Sequence, residues 1–187
     1  MNVILGVSGD IGSFSEEAAL KYIEQSNLCF ELKYLIDIEG VLSSLSENSI
    51  QYGIFPVVNL RGGLVKTAFE AMGKYHFKYK ENISIKIEHN LITKNEVSLN
   101  EITTIVSHPQ AFAQCQKYLK SNFPNIEYIE WKNTALAARN LSDGLFPLNT
   151  AIIGHKKTAS LYNLKIREEK IQDELQNLTT FIIVENI

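Results

Sequence analysis

Cysteine is scarce in this chain. Only Cys29 and Cys115 occur among 187 residues, and their separation matches no metal-binding or redox spacing. We therefore expect two reduced thiols, no disulfide framework and no metal. Prolines number only four, and no Pro-, Gly- or Ser-rich tract marks a linker. No apolar run approaches the roughly 20 residues that cross a bilayer, and the opening MNVILGVSGD lacks the basic region of a secretory leader. Clusters of positive charge are missing too. With 18 Lys+Arg against 21 Asp+Glu, the formal net charge of −3 argues against a nucleic-acid-binding face. What these absences leave is a cytoplasmic, soluble protein with no membrane and no nucleic-acid partner. At 45% hydrophobic and 21% charged, it is long enough for one ordinary domain or two small lobes.

What is present is alternation. The apolar run VILGV (3–7) reads as a buried strand, and SFSEEAALKYI after it as a helix with Ser13 and Glu16 in a capping box. The cycle repeats: a strand near 30–35, a helix near 38–47, the strand YGIFPVV (52–58), and a helix after NLRGG to about residue 73. ISIKIEHNLIT (83–93) alternates as one strand. Then come TTIV (103–106), a helix over 109–121, IEYIEW (126–131), a helix over 134–141, TAII (150–153), a helix near 156–161 and the strand TTFIIVEN (179–186). Short connections between alternating elements imply an α/β protein with largely parallel strands in two sheets, with a crossing near 74–80.

Three strand-to-helix turns stand out, because helix starts present free N–H groups that suit a carboxylate. GDIGSFS (9–15) and NLRGG (59–63) are glycine-bracketed, and neither is a nucleotide fingerprint. In VSHPQAFAQC (106–115), Ser107 as N-cap with Gln110 three residues later forms a second capping box, with Pro109 in the first turn. That leaves His108 to a structural or supporting role. His76, His89, Trp131 and the tyrosines read as packing or surface residues. A small ligand with two negative charges fits three such turns better than a nucleotide does.

GDIGSFSEEAA, FPVVNLRGGLV, SHPQAFAQCQKYL, LYNL and IQDELQNLTTFIIV follow in an order and spacing similar to those of the prephenate dehydratase catalytic domain. That family reads GxxGTFS, VPIENSxxGxV, SHPQALAQC, AAIAS, LYGL and a closing NxTRF. The resemblance spans essentially the whole chain. It implies an α/β fold of two lobes with a central cleft, like a type II periplasmic binding protein, with the active site in that cleft. We expect lobe 1 over 1–76, joined by the C-terminal strand 180–187, and lobe 2 over 77–179. It further implies a homodimer, prephenate as the small-molecule substrate, and no cofactor. The catalytic assignments it carries are Thr179, Ser107 and Asn59. The substrate-binding ones are Ser13, Phe14, Ser15, Gly62, Gly63, Gln110, Ala111, Thr180 and Phe181.

The chain departs from the family in places. Glu-Asn-Ser becomes Val58-Asn59-Leu60, and Thr-Arg-Phe becomes Thr179-Thr180-Phe181. Ser13 replaces a threonine, and His155 stands where a small residue is common. The sequence stops at Ile187, so we expect neither the phenylalanine-sensing ACT domain nor a fused chorismate mutase. Dehydration of prephenate needs a proton donor for the departing hydroxide. With the arginine next to Thr179 gone, the sequence points to a non-aromatising prephenate decarboxylase of secondary metabolism, which retains the ring hydroxyl and forms dihydro-4-hydroxyphenylpyruvate. The alternative is a prephenate dehydratase forming phenylpyruvate for phenylalanine biosynthesis. A catalytically inactive carboxylate-binding protein is the third reading.

Overall fold

A computed structural model of the chain describes residues 3–26 and 28–187. In chain order the strands and helices begin with β1 (Val3–Val7), α1 (Phe14–Gln25), β2 (Phe30–Tyr34), α2 (Ile38–Ser46), β3 (Tyr52–Asn59) and β4 (Gly63–Leu64). They continue with α3 (Lys66–Met72), β5 (Lys78–Lys86), β6 (Asn90–Thr93), β7 (Thr104–Ser107), α4 (Pro109–Gln114), α5 (Gln116–Asn122) and β8 (Glu127–Glu130). The last are α6 (Thr134–Ser142), β9 (Thr150–Gly154), α7 (Lys156–Leu161), β10 (Lys165–Glu168) and β11 (Leu178–Glu185). These fall into two compact units. One holds the described residues up to Ile87 together with Asn177–Ile187, and the other is Glu88–Gln176.

In the first unit the sheet runs β2-β1-β3-β11-β5, with β4 paired to β3. Its strands alternate between two cores. Ile54, Phe181 and Ile183 pack with Ala18, Ala19 and Tyr22 of α1 on one face. Phe55, Ile182 and Val184 pack with Val41, Leu42 and Leu45 of α2 and Ala68 and Ala71 of α3 on the other. Burying a side chain such as Phe181 is worth about 1.5–3 kcal/mol, so a register slip that exchanged the two faces would be strongly disfavoured.

The second unit is built likewise. Its sheet runs β10-β6-β9-β7-β8. Leu91, Ile105 and Ile153 face Ala111 of α4 and Leu119 of α5, while Ile92, Val106 and Ile152 face Ala137 and Leu141 of α6 and Ala159 of α7.

Several expectations are corrected. The sheets are mixed: β1–β2, β1–β3, β7–β8 and β7–β9 are parallel, but β11 lies antiparallel between β3 and β5, and β6 lies antiparallel between β9 and β10. A strand that enters its sheet without a helical crossover is free to run antiparallel. The single strand over 83–93 is two strands in two sheets. The isoleucine alternation carries through Ile87, whose N–H donates to the Asn177 carbonyl at 2.7 Å, and no turn residue signals the break. The boundary between units therefore falls after Ile87, where the sequence reading sets it after residue 76.

The helix over 109–121 is interrupted at Cys115 (φ −119°, ψ 19°). The interruption has a cause, because Asp173 donates its N–H to the Gln114 carbonyl and accepts the Lys117 N–H on its carboxylate. The helix expected after NLRGG to about residue 73 is present as α3, but NLRGG does not lead directly into it. That segment makes the β3–β4 hairpin, and α3 starts later from Val65 without a side-chain cap. Strand β10 lies in the charged stretch KIRE, where periodicity gives little signal.

Candidate functional site

The first motif turn follows β1. Ser13 caps α1, its Oγ accepting the Glu16 N–H at 3.2 Å. The Glu16 carboxylate reaches back to the Gly12 N–H at 2.8 Å and also accepts from the Tyr34 hydroxyl. Burial, and after it this contact with Glu16, raises the Tyr34 pKa. The box forms with a shift of one residue, closing on Gly12 instead of on Ser13. Gly9 is required at the head of this turn, since at φ +152° an added Cβ would stand 2.8 Å from Ser13 Oγ. Phe14 packs onto the α1-side core, and Ser15 is buried within the first turn.

The next group joins the ends of β3 and β11. Buried Asn59 uses its whole side chain. Its Oδ1 accepts the N–H groups of Arg61 at 2.9 Å and Gly62 at 2.7 Å, which folds the hairpin. Its Nδ2 donates to Thr179 Oγ1 at 2.8 Å, Asn177 Oδ1 at 2.9 Å and the Leu178 carbonyl at 3.2 Å. Thr179 Oγ1 thus accepts a hydrogen bond, which leaves its own hydrogen for another acceptor. Gly63 pairs with Asn59 in the ladder at φ +73°, in open space. Asn177 is missing from the sequence-derived site, although the closing motif contained it.

Neighbouring residues of a strand face opposite sides of the sheet. Phe181 packs on the α1 side and Ile182 on the α2–α3 side, so Thr179 faces α1 and Thr180 faces away from it. Thr180 lies directly opposite Val58 on one side and Ser84 on the other, and its hydroxyl is 2.9 Å from Ser84 Oγ. The ladder slips between Thr180 and Phe181, leaving Val57 without a partner on β11. The positions of the family's lost acid and lost arginine are therefore cross-strand neighbours on the face away from Thr179. Position 180 is thus next to Thr179 along the chain but on the opposite face from its hydroxyl. Phe181 itself is a core residue, 2% exposed.

In the second unit, Ser107 ends β7 fully buried and donates its hydroxyl to the Ile153 carbonyl at 2.9 Å. It does not cap the helix. His108 does, with Nδ1 accepting the Gln110 N–H at 3.2 Å and Pro109 in the first turn. Its burial lowers its pKa, against the opposing charge of Glu130, and so favours the neutral ring whose Nδ1 lone pair the cap uses. The Ala111 N–H goes to the His108 carbonyl at 2.9 Å, Ala111 is buried, and the Gln110 side chain is exposed.

A histidine read as ordinary proves organised. His89 is buried, its Nε2 lies 2.8 Å from Gln114 Oε1, and its N–H donates to Gln172 Oε1 at 2.9 Å. Desolvation drives its pKa down to about 4; the Gln114 hydrogen bond opposes the shift and nearby His155 adds to it. His155 is itself buried, at the start of α7. Gln114 closes the third motif, one residue before Cys115, and that placement was the available signal.

A family profile described as Prephenate dehydratase matches residues 5–187. A prephenate dehydratase of Methanocaldococcus jannaschii is 31% identical over 174 residues, covering 92% of this chain and 61% of that protein. A bifunctional chorismate mutase/prephenate dehydratase of Pseudomonas aeruginosa is 29% identical over 178 residues, covering 95% and 47% respectively. The chain spans about half the length of the bifunctional relatives it matches. Among solved structures, a prephenate dehydratase from Arthrobacter aurescens in complex with L-Phe has a TM-score of 0.87 at 22% identity, covering 99% of this chain and 61% of that one. A putative methionine-binding lipoprotein of Bacillus subtilis has a TM-score of 0.53 at 11% identity, covering 99% and 83%, in keeping with the periplasmic-binding-protein-like fold. Among the described residues, no helix is long and apolar enough to cross a membrane.

Proposed function

Because the chain belongs to the prephenate dehydratase family, we propose that it is a carbon–oxygen lyase, converting prephenate to phenylpyruvate with loss of carbon dioxide and water. Prephenate carries a ring carboxylate, a pyruvyl carboxylate and a ring hydroxyl para to the first. When the ring carboxylate leaves as carbon dioxide, its bonding electrons enter the ring and the hydroxyl departs from the para carbon. Hydroxide is a poor leaving group, and a positioned proton donor contributes about 10²–10⁴ in rate.

The observation that carries the proposal is the 2.8 Å bond from Asn59 Nδ2 to Thr179 Oγ1. A hydroxyl that accepts from an amide is polarised toward donating its own proton. In this reading Thr179 protonates the leaving hydroxyl and Asn59 sets its direction. Ser107, with Ser13, Phe14, Ser15, Gly62, Gly63, Gln110, Ala111, Thr180 and Phe181, belongs to the substrate's surroundings or to their support. We assign the enzyme to the cytoplasm as a homodimer, on the strength of the family resemblance; equilibrium sedimentation checks the second point.

Relatives named as prephenate dehydratases favour dehydration over the non-aromatising decarboxylation that the sequence ranked first. The strand geometry favours it too. Val58 and Thr180 face away from Thr179, so the missing acid and arginine do not remove a neighbour of its hydroxyl. Decarboxylation with the hydroxyl retained keeps one specific observation: the Val58–Thr180–Ser84 row carries no ionisable side chain.

Incubation with prephenate, followed by mass spectrometry and absorbance in base, separates the readings. Stoichiometric phenylpyruvate supports the proposal. Release of carbon dioxide with a non-aromatic, hydroxyl-bearing product replaces it with the decarboxylase. Binding of prephenate without turnover makes the chain a carboxylate-binding protein.

A further inference from the structure

Asn177 lies at the junction where the chain re-enters the first unit, and it does three things at once. It is 1% exposed, its carbonyl accepts the N–H of Ile87, where the chain leaves that unit, and its Oδ1 accepts from Asn59 Nδ2 at 2.9 Å. The Asn59 amide has two hydrogens, shared among Asn177 Oδ1, Thr179 Oγ1 and the Leu178 carbonyl. A flip of that amide would turn its oxygen against these three acceptors, and its NH₂ against the N–H groups of Arg61 and Gly62. The side chain of Asn177 thus helps to hold the rotamer in which Thr179 receives a hydrogen bond and keeps its own hydrogen for donation.

We propose that Asn177 is a positioning residue for the reaction, acting on the Thr179 hydroxyl through Asn59. This rests on the reading of Thr179 as the proton donor to prephenate. Asn177→Leu preserves size and removes the acceptor, leaving an Asn59 hydrogen to wander between the remaining partners. It should lower kcat for prephenate at least tenfold with KM within threefold of wild type. Asn177→Asp keeps an accepting oxygen and should recover kcat to within threefold of wild type. In a Thr179→Val background, Asn177→Leu should change the residual kcat less than twofold, because the group it positions is already gone. A packing role would instead lower kcat by the same factor in both backgrounds, and that result overturns the proposal, as does an Asn177→Leu enzyme within twofold of wild type.

A second readout does not need turnover. The side-chain NH₂ resonances of Asn59, identified by their loss in Asn59→Asp, should exchange with solvent at least tenfold faster in Asn177→Leu or, if that variant does not fold, in Asn177→Ser. Unchanged exchange refutes the proposal. If prephenate is left untouched while exchange accelerates, the positioning stands and the substrate assignment fails.

Discussion

Replacing Thr179 by valine separates what this residue does for the reaction from what it does for the fold. Valine keeps the β-branched shape at the end of the β3–β11–β5 ladder, so strand preference and packing volume are preserved. The hydrogen bond from Asn59 is lost, yet Asn59 Nδ2 retains Asn177 Oδ1 at 2.9 Å and the Leu178 carbonyl at 3.2 Å, so neither of its hydrogens is orphaned. The stability cost should then be that of one exchanged hydrogen bond, about 0.5–1.5 kcal/mol. For a chain of this length that corresponds to a fall in Tm of about 1–6 °C. The rate should respond on another scale. Loss of a positioned proton donor costs about 10²–10⁴ in kcat, or about 3–5.5 kcal/mol of barrier. Calorimetry and steady-state kinetics on the same sample read both. A kcat within threefold of wild type would refute Thr179 as donor. A fall in Tm beyond about 10 °C would show that the hydroxyl anchors the sheet and that any rate loss is a folding effect.

The row at positions 58 and 180 predicts a coupling. Val58→Glu and Thr180→Arg should each destabilise by about 1–2 kcal/mol. Together they should regain about 0.5–1 kcal/mol as a cross-strand ion pair without altering the product; additive losses in urea melts, or a changed product, would contradict the register assigned to them. Buried His89 makes stability depend on pH. Its folded pKa of about 4 lies below the ordinary 6.5, so the unfolded chain binds the extra proton and stability falls as the pH drops from about 6.5 toward 4. The slope is at most about 1.4 kcal/mol per pH unit, and His89→Gln should flatten the curve in that window while leaving it unchanged above pH 7 or so; parallel curves would disprove the assignment. The thiols differ as well. Exposed Cys29 should react with a disulfide reagent in the native protein, whereas buried Cys115, whose pKa is raised chiefly by desolvation, should react only on unfolding.

The α/β alternation was legible because most strands and helices carry their own period and their own caps: Ser13, Asp37 and Asn133 each accept from a first-turn N–H where a capping residue is expected. What was not legible depends on partners far along the chain. The break in α4–α5 at Cys115 is made by Asp173, and just past the end of β5 the Ile87 N–H is held by the Asn177 carbonyl; neither leaves a mark in its own neighbourhood. The helix cap at His108 was misread for a local reason. SHPQ satisfies the capping-box pattern from Ser107, but Ser107 is held in β7 by the Ile153 carbonyl, so the cap moves on by one residue. At the site, Asn59 and Thr179 could be named from motifs. Their contact, and the opposite facing of Thr180, could not, because sequence adjacency says nothing of which side of a sheet a residue occupies until the register is known.

The antiparallel placement of β11 between β3 and β5 also governs how the protein is made. The second unit is one continuous stretch, Glu88–Gln176, and its contacts can form as soon as that stretch is synthesised. The first unit has most of its residues earlier, but its sheet lacks a central strand until Leu178–Glu185 arrives to join β3 and β5. Until then β3 presents an unpaired edge, β5 has no strand beside it, and the apolar faces over α1 and over α2 and α3 are incompletely covered. The portion made first is therefore the portion completed last, and the hydroxyl of Thr179 meets Asn59 only in that final step.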